Sequence, residues 1–227
     1  MSEAGVVAEY WGLRRSELWP DHGAPDGTGQ AALLIGGFGI TPRTLGPLAR
    51  WLGGAGWVVR TADLGSNTGC GTATVRTVIT ELDEIARHHG PAVVIGHSRG
   101  GLIGRVAAVR APELVRSLTT VCTPWTIGPP DRPGVAMTSR LIKGARRRGL
   151  DVMGSIECAD GPCCTTFRRQ MTDVPAPRWT AIRSTADRIA GDDALVRGAD
   201  RELVIATSHL GAVLSLQGWR AIGQALS

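Results

Sequence analysis

Residues 92–101 read Ala-Val-Val-Ile-Gly-His-Ser-Arg-Gly-Gly, an apolar run followed by the pattern G-x-S-x-G at positions 96–100. The apolar run predicts a buried strand over 92–95, and residues 101–110 are compatible with a helix. A serine between two glycines at such a junction predicts a tight, strained turn, because a Cβ at either glycine would crowd it. Such a turn presents the hydroxyl of Ser98 at the carboxyl end of the strand.

Short apolar runs alternate with helical segments along the rest of the chain. Strands are predicted at 31–35, 58–61, 92–95, 118–122, 179–183 and 203–206, and helices at 44–55, 75–88, 101–110 and 210–226. Continuous apolar strands that alternate with helices predict an α/β fold, in which helices cover both faces of a mostly parallel sheet. The reactive groups of such sheets lie at the carboxyl ends of the strands.

Two segments depart from this alternation. Residues 1–30 contain Tyr10, Trp11 and Trp19 before a linker rich in Pro, Gly and Asp, which predicts an N-terminal helix and a loop over 21–29. Residues 125–170 form an insertion after the fourth strand, and their position suits a cap over a site at the sheet edge. We therefore expect one domain, 1–227, with an N-terminal helix and linker and a cap.

The composition is that of an ordinary globular protein. The chain has 227 residues, of which 43% are hydrophobic and 20% charged. No apolar run approaches the roughly 18 residues that cross a bilayer. The first ten residues lack the basic-then-apolar pattern of a secretory signal, so we expect a cytoplasmic protein.

The formal net charge is +5, and the basic residues are densest at Arg140, Lys143 and residues 146–148. This run is either a solvated helix face or a patch for an acidic partner. Nucleic-acid binding is not indicated, because only one Tyr and two Phe are present and no binding motif accompanies the charge.

Cysteine usage indicates neither a disulfide framework nor a metal site. The chain has five cysteines, an odd number, and three of them cluster at Cys158, Cys163 and Cys164. No histidine lies near that cluster, which argues against zinc. Free thiols are expected in a cytoplasmic protein, although spacing alone leaves a local disulfide open.

A serine nucleophile needs a base, usually a histidine, and that histidine needs an acid to orient it. Among the five histidines, His209 is the best candidate, because it follows the strand predicted at 203–206 and precedes the last helix. His22 lies in the linker. His88 and His89 end a helix at the opposite edge of the sheet. His97 lies inside the turn, and its side chain is expected to point away from Ser98.

Asp187 is the candidate acid. It follows the strand predicted at 179–183, between Ser98 and His209 in the chain. Asp192 and Asp193 are local alternatives, and Asp160 in the cap is a distant one. An aspartate after a strand is also common as a turn residue. The chain order Ser98, Asp187, His209 is the nucleophile–acid–base order of one family of hydrolases.

An acyl-transfer site also needs N–H donors for the oxyanion. The backbone N–H of Arg99 is one candidate, and the loop at 36–39, Gly-Gly-Phe-Gly, can supply another. That loop does not match the dinucleotide pattern G-x-G-x-x-G, because Ile-Thr-Pro follows it.

Over most of residues 31–226 the chain resembles serine α/β-hydrolases of the bacterial lipase and esterase type, some of them actinobacterial. The motifs that carry the resemblance lie at 34–39, 96–101, 122–125, 184–187 and 208–211, with Cys163-Cys164 as a further similarity. The resemblance implies that Ser98 is the nucleophile, Asp187 the acid and His209 the base. It implies that the backbone N–H groups of Phe38 and Arg99 form the oxyanion hole.

This resemblance implies cleavage of a carboxylic ester with a lipophilic acyl group, or of a lactone, without metal or cofactor. Gly37, Trp125 and Ile127 are candidate substrate-lining residues. The alternative is an acyltransferase, cyclase or thioesterase of natural-product biosynthesis, which would use an acidic carrier protein. A binding protein that kept only the fold is a third hypothesis, disfavoured because Ser98, Asp187 and His209 are all present.

Two features depart from the family pattern. Many relatives have His-Gly after the first strand, where this chain has Gly36-Gly37. The residue after the nucleophile is the charged Arg99. Its side chain either folds away and pairs with an acid or contacts a polar or anionic part of the substrate.

Overall fold

A six-stranded parallel sheet forms the centre of the molecule. The computed structural model describes residues 5–124, 144, 147–148, 162–191 and 196–227, without the side chains of Cys163 and Cys164. The strand order is β2-β1-β3-β4-β5-β6. The strands are β1 Ala31–Ile35, β2 Val58–Thr61, β3 Ala92–His97, β4 Val115–Val121, β5 Arg178–Ser184 and β6 Arg201–Ile205.

Helices connect the strands. Within the described residues, the α-helices are α1 Val6–Arg14, α2 Gly46–Gly54, α3 Gly71–His89, α4 Arg99–Arg110, α5 Pro162–Gln170, α6 Gly211–Leu214 and α7 Leu216–Leu226. The strands overlap the apolar runs that predicted them, and the α/β fold is confirmed. In the described parts of the chain, none of the helices is long and apolar enough to cross a membrane.

The apolar residues of the strands divide between two cores, one on each face of the sheet. Leu34 and Ile95 pack with α1, α2, α6 and α7, whereas Leu33 and Val94 pack with α3 and α4. Burial of one such side chain contributes about 1.5–3 kcal/mol, so a strand that is apolar on both faces is stable only between two helical layers.

Helix boundaries differ from the predicted ones at several points. α4 begins at Arg99, directly after Ser98, and α3 begins at Gly71. The helix predicted over 44–55 begins as a 3-10 turn, Pro42–Leu45, before α2. The single helix predicted over 210–226 was wrong: Ser215 has extended backbone angles, and its hydroxyl accepts a hydrogen bond from the Gly218 N–H. That contact caps α7 and separates it from α6.

The direction in which successive strands are added to the sheet reverses between β1 and β3. From β1 the chain moves outward to β2 and then returns to place β3 on the other side of β1. Ile35 at the end of β1 is therefore in register with Gly96 of β3. Loops that leave neighbouring strands at such a switch point diverge and form a crevice, which is where ligands bind in open α/β sheets.

Arg105 joins α4 to the segment that returns from the insertion. It is fully buried, its Nε donates to the Met171 carbonyl at 3.0 Å, and its guanidinium lies 4.2 Å from the ring centre of Trp179. Burial lowers its pKa to about 10. The end of α5 is thereby attached to the helix that follows Ser98.

Candidate functional site

Ser98 occupies a strained turn between β3 and α4. Its backbone angles are φ 53° and ψ −126°, a conformation that L-residues rarely adopt, and the residue is 9% exposed. The flanking glycines permit it: a Cβ on Gly100 would overlap the Ile35 carbonyl, and one on Gly96 would lie 2.5 Å from the Gly100 carbonyl oxygen. The strained turn predicted from the motif is present.

The loop after β1 lies directly beside this serine. A Cβ placed on Gly37 would lie 2.8 Å from Ser98 Cβ and 3.3 Å from Ser98 Oγ. Any larger residue at position 37 would displace the hydroxyl. The pairing of β1 with β3 thus places the loop that carries Gly37 and the half-buried Phe38 against the serine turn.

Arg99 is the first residue of α4. Backbone N–H groups in the first turn of a helix lie outside the intrahelical hydrogen-bond pattern, which makes them suitable donors to an anion. Its side chain extends toward the loop after β2, where its Nε donates to Asn67 Oδ1 at 3.2 Å and its Nη2 donates to the Gly69 carbonyl at 2.5 Å. The side chain thus lies against this segment, with an amide oxygen and a backbone carbonyl among its partners.

His209 and Asp187 meet at the carboxyl ends of β6 and β5. The Nδ1 of His209 lies 2.7 Å from Asp187 Oδ2, and the two side chains are 8% and 1% exposed. Asp187 Oδ1 accepts hydrogen bonds from the backbone N–H groups of Ile189 at 2.7 Å and Ala190 at 2.9 Å. The structure therefore brings together the two residues that were predicted as base and acid.

Asp187 is held in its ionised form. Burial would raise its pKa, but the hydrogen bond and charge of His209 and the two backbone donors outweigh it, so the pKa lies below its usual value. A carboxylate that is ionised and bonded to Nδ1 fixes the proton of His209 on Nδ1. In this tautomer the other ring nitrogen, Nε2, is the one that carries a lone pair.

His97 links the serine turn to the His209 loop. Its Nε2 lies 3.0 Å from the His209 carbonyl oxygen, and the two imidazole rings are 4.8 Å apart. Burial, followed by the neighbouring His209, lowers the pKa of His97 to about 3. His97 is therefore neutral and donates from Nε2 to that carbonyl, which links the residue before Ser98 to the loop of His209.

The loop that carries His209 is attached on two further sides. Ser184 Oγ donates to the Thr207 carbonyl at 2.6 Å and accepts from the Thr207 N–H at 2.9 Å. Glu9 of α1 accepts from the Ser208 N–H at 2.8 Å and also from the Ser208 hydroxyl. The N-terminal helix therefore contacts the residue directly before His209.

Several predicted residues lie outside the part that the structure describes. These are the candidate lining residues Trp125 and Ile127, the alternative acids Asp160, Asp192 and Asp193, and most of the insertion 125–170. Of the basic run, Arg147 and Arg148 are described, and both are exposed. The described portion of the chain holds no group of three or more His, Cys, Asp or Glu that could bind a metal ion.

Two residues of the site were missed by sequence reasoning. Glu9 gives no signal, since its partner Ser208 is 199 positions away in the chain. Asn67 is 2% exposed, and its Nδ2 donates to the Gly36 carbonyl at 2.8 Å. Asn in a Gly/Ser/Asn-rich segment is typical of a turn, and nothing in its spacing indicates that it contacts the loop after β1.

Comparison with known proteins agrees with this architecture. Residues 37–141 match a family model described as the alpha/beta hydrolase fold. No curated protein sequence matched the chain. The chain therefore has the α/β-hydrolase fold, and the resemblance predicted from its motifs is confirmed at that level.

Solved structures share this fold at low identity. The mature lipase BlEst2 of Bacillus licheniformis is 13% identical, with a TM-score of 0.64 over 91% of this chain and 95% of that one. A structure of the metagenome-derived lipolytic enzymes LipS and LipT is 14% identical, with a TM-score of 0.62 over 91% and 96%. The RedJ thioesterase of the prodiginine pathway in Streptomyces coelicolor is 15% identical, with a TM-score of 0.54 over 93% and 95%.

Proposed function

We propose that this protein is a serine hydrolase that cleaves a carboxylic ester, with a lipophilic acyl group or a lactone ring, through an acyl-enzyme on Ser98. One observation carries the proposal: the buried His209–Asp187 pair, with 2.7 Å between Nδ1 and Oδ2, lies at the sheet edge where Ser98 occupies its strained turn. A base, an ionised acid and a serine hydroxyl are the groups that acyl transfer requires.

In the first half of the reaction, Ser98 Oγ attacks the ester carbonyl while His209 Nε2 accepts the hydroxyl proton. Asp187 stabilises the imidazolium that forms. The tetrahedral oxyanion is bound by the backbone N–H groups of Phe38 and Arg99. Collapse of this intermediate breaks the bond to the leaving alcohol, which takes the proton from His209.

In the second half, His209 accepts a proton from water, and the hydroxide attacks the acyl-enzyme. Collapse of the second tetrahedral intermediate releases the acid, and the proton returns to Ser98 Oγ. Every proton that moves is carried by His209.

Labelling with a fluorophosphonate tests the nucleophile. Intact-mass measurement should find one adduct on the wild-type protein and none on Ser98→Ala, which should also lower kcat on p-nitrophenyl esters on the order of 10⁶-fold. Asp187→Asn should lower kcat by a somewhat smaller factor. Label on Ser98→Ala, or a wild-type protein without label, contradicts the assignment.

A second candidate is an acyltransferase, cyclase or thioesterase that takes its acyl chain from an acidic carrier protein. The exposed Arg147 and Arg148 in the basic run of the insertion favour it, because they can bind an acidic surface. For this candidate, the double variant Arg147→Glu/Arg148→Glu should raise KM for a carrier-bound thioester without changing KM for the same acyl group on a small thiol. Free acid as the sole product when alcohols and amines are added would exclude transfer and cyclisation.

A further inference from the structure

The segment after β2 contacts the loop that carries the candidate oxyanion donor. Asn67 is buried in this segment, has φ 48°, and donates from Nδ2 to the Gly36 carbonyl at 2.8 Å. The Ser66 carbonyl accepts from the Gly39 N–H at 2.8 Å. The loop at 36–39 is thus held on both sides of Phe38 by two consecutive residues.

Arg99 determines how the Asn67 amide is oriented. A guanidinium has only donors, so the amide oxygen must face Arg99, and the NH2 group must then face Gly36. The second contact, from Arg99 Nη2 to the Gly69 carbonyl at 2.5 Å, fixes the guanidinium on the same segment. Asparagine tolerates a left-handed backbone better than other side chains, so it can occupy this position with little strain.

We propose that Arg99 positions the oxyanion loop through Asn67. The backbone N–H of Arg99 supplies one oxyanion donor, while its side chain, two hydrogen bonds away from Gly36, sets the direction of the other. One residue thereby holds both donors at a constant separation. This inference rests on the proposed function, since it assigns the loop its role in stabilising the oxyanion.

Asn67→Asp is the most informative variant. It retains an acceptor for Arg99, but a carboxylate cannot donate to the Gly36 carbonyl, so only the link to the loop is lost. Arg99→Ala removes the orienting group and keeps its backbone N–H. Arg99→Lys retains one donor and serves as the conservative rescue. Arg87→Ala, which breaks an exposed pair with Asp83 on α3, is the matched control.

Two readouts are needed: steady-state kinetics on a p-nitrophenyl ester and hydrogen exchange of the amides at 38–40. We expect Asn67→Asp and Arg99→Ala to lower kcat by about 10- to 100-fold with KM changed less than about twofold, which is less than the loss of a whole donor. Arg99→Lys should recover part of kcat. Exchange at 38–40 should become faster in the impaired variants and stay unchanged in Arg87→Ala.

The outcomes separate this inference from the proposed function. Unchanged kcat and unchanged exchange overturn the positioning role, and so does a rise in KM alone, which would show that Arg99 binds substrate. A wild-type protein that takes no fluorophosphonate overturns the proposed function instead. In that case, hydrogen exchange of the amides at 38–40 still decides whether Arg99 and Asn67 hold the loop, because this measurement does not require an active enzyme.

Discussion

Gly37 shows how closely the serine turn and the neighbouring loop approach each other. The position of a Cβ on this residue is 2.8 Å from Ser98 Cβ and 3.2 Å from His97 Nδ1. Neither neighbour is the far end of a flexible chain, so the backbone would have to move. The absence of a side chain at residue 37 is therefore a condition for placing the serine hydroxyl.

We predict that Gly37→Ala slows fluorophosphonate labelling on the order of 100-fold, because a displacement near 1 Å in an active site has effects of that size. Overpacking should also lower the free energy of unfolding by about 1–3 kcal/mol. Gly46→Ala is the control, since a Cβ there meets nothing within 4 Å. Equal labelling rates for both variants would contradict the close approach.

His97 makes the stability of the fold depend on pH. Its pKa is about 3 in the folded protein, lowered by burial first and by His209 second, against 6.5 for an unperturbed histidine. Between these values the unfolded chain binds a proton that the folded protein does not. The stabilising effect is complete above pH 6.5 and is lost as the pH falls toward 3.

We predict that the free energy of unfolding of the wild-type protein falls by up to about 1.4 kcal/mol per pH unit below pH 6.5 from this residue. His97→Gln retains a donor for the His209 carbonyl and cannot titrate, so its pH dependence should be shallower. Urea unfolding at several pH values between 4.5 and 7 measures both slopes. Identical slopes would show that His97 is protonated in the folded state.

At the scale of elements, α1 contacts the loop that carries His209 as well as covering the sheet. Glu9 on this helix binds Ser208 through its backbone N–H and its hydroxyl, one residue before His209. A second carboxylate near the end of this helix, Glu17, pairs with Arg220 at 2.6 Å on the exposed surface. Glu9 thus accepts from neutral donors of the buried Ser208, whereas Glu17 forms an exposed ion pair.

We predict that Glu9→Ala lowers the free energy of unfolding by about 1–3 kcal/mol, because it leaves buried donors without an acceptor. It should also reduce kcat more than it raises KM, since the His209 loop loses one attachment. Glu17→Ala removes an exposed ion pair, which is worth about 0–1 kcal/mol. Equal losses of unfolding free energy and of kcat in Glu9→Ala and Glu17→Ala would contradict a role for α1 in holding His209.

At the scale of the whole molecule, the sheet separates two cores that each depend on a buried tryptophan. Trp219 of α7 stacks on Trp51 at 5.0 Å and on Trp19 at 6.1 Å, joining the helices of one face. Trp179 of β5 packs on the other face and donates to Thr120 Oγ1 at 3.0 Å. Neither tryptophan belongs to the core cluster of the other.

We predict that Trp219→Phe and Trp179→Phe each lower the free energy of unfolding by about 1–3 kcal/mol, through a smaller ring and one lost hydrogen bond. Because the two tryptophans share no core, the loss of unfolding free energy in the double variant should equal the sum of the two single losses within about 0.5 kcal/mol. Chemical denaturation of the four proteins measures the coupling. A coupling above about 1 kcal/mol would mean that the sheet transmits packing changes between its faces.

The amino-acid sequence by itself determined the strands, their alternation with helices, and the identities of Ser98, Asp187 and His209 as candidates. Local rules suffice for these features: an apolar run of four or five residues, a glycine on each side of a serine, and a polar residue directly after a strand. Parallel sheets then place such residues at one edge, so their proximity follows from the fold class.

Only the tertiary structure decided which residues hold those groups in place. Glu9 and Ser208 are 199 positions apart, and Asn67 lies 31 residues from the carbonyl that it binds. The direction of the Arg99 side chain also depends on distant partners, Asn67 and Gly69. The physical reason is that a hydrogen bond between distant segments leaves no periodicity in either one, so it becomes visible only when the folded chain brings donor and acceptor within 3 Å.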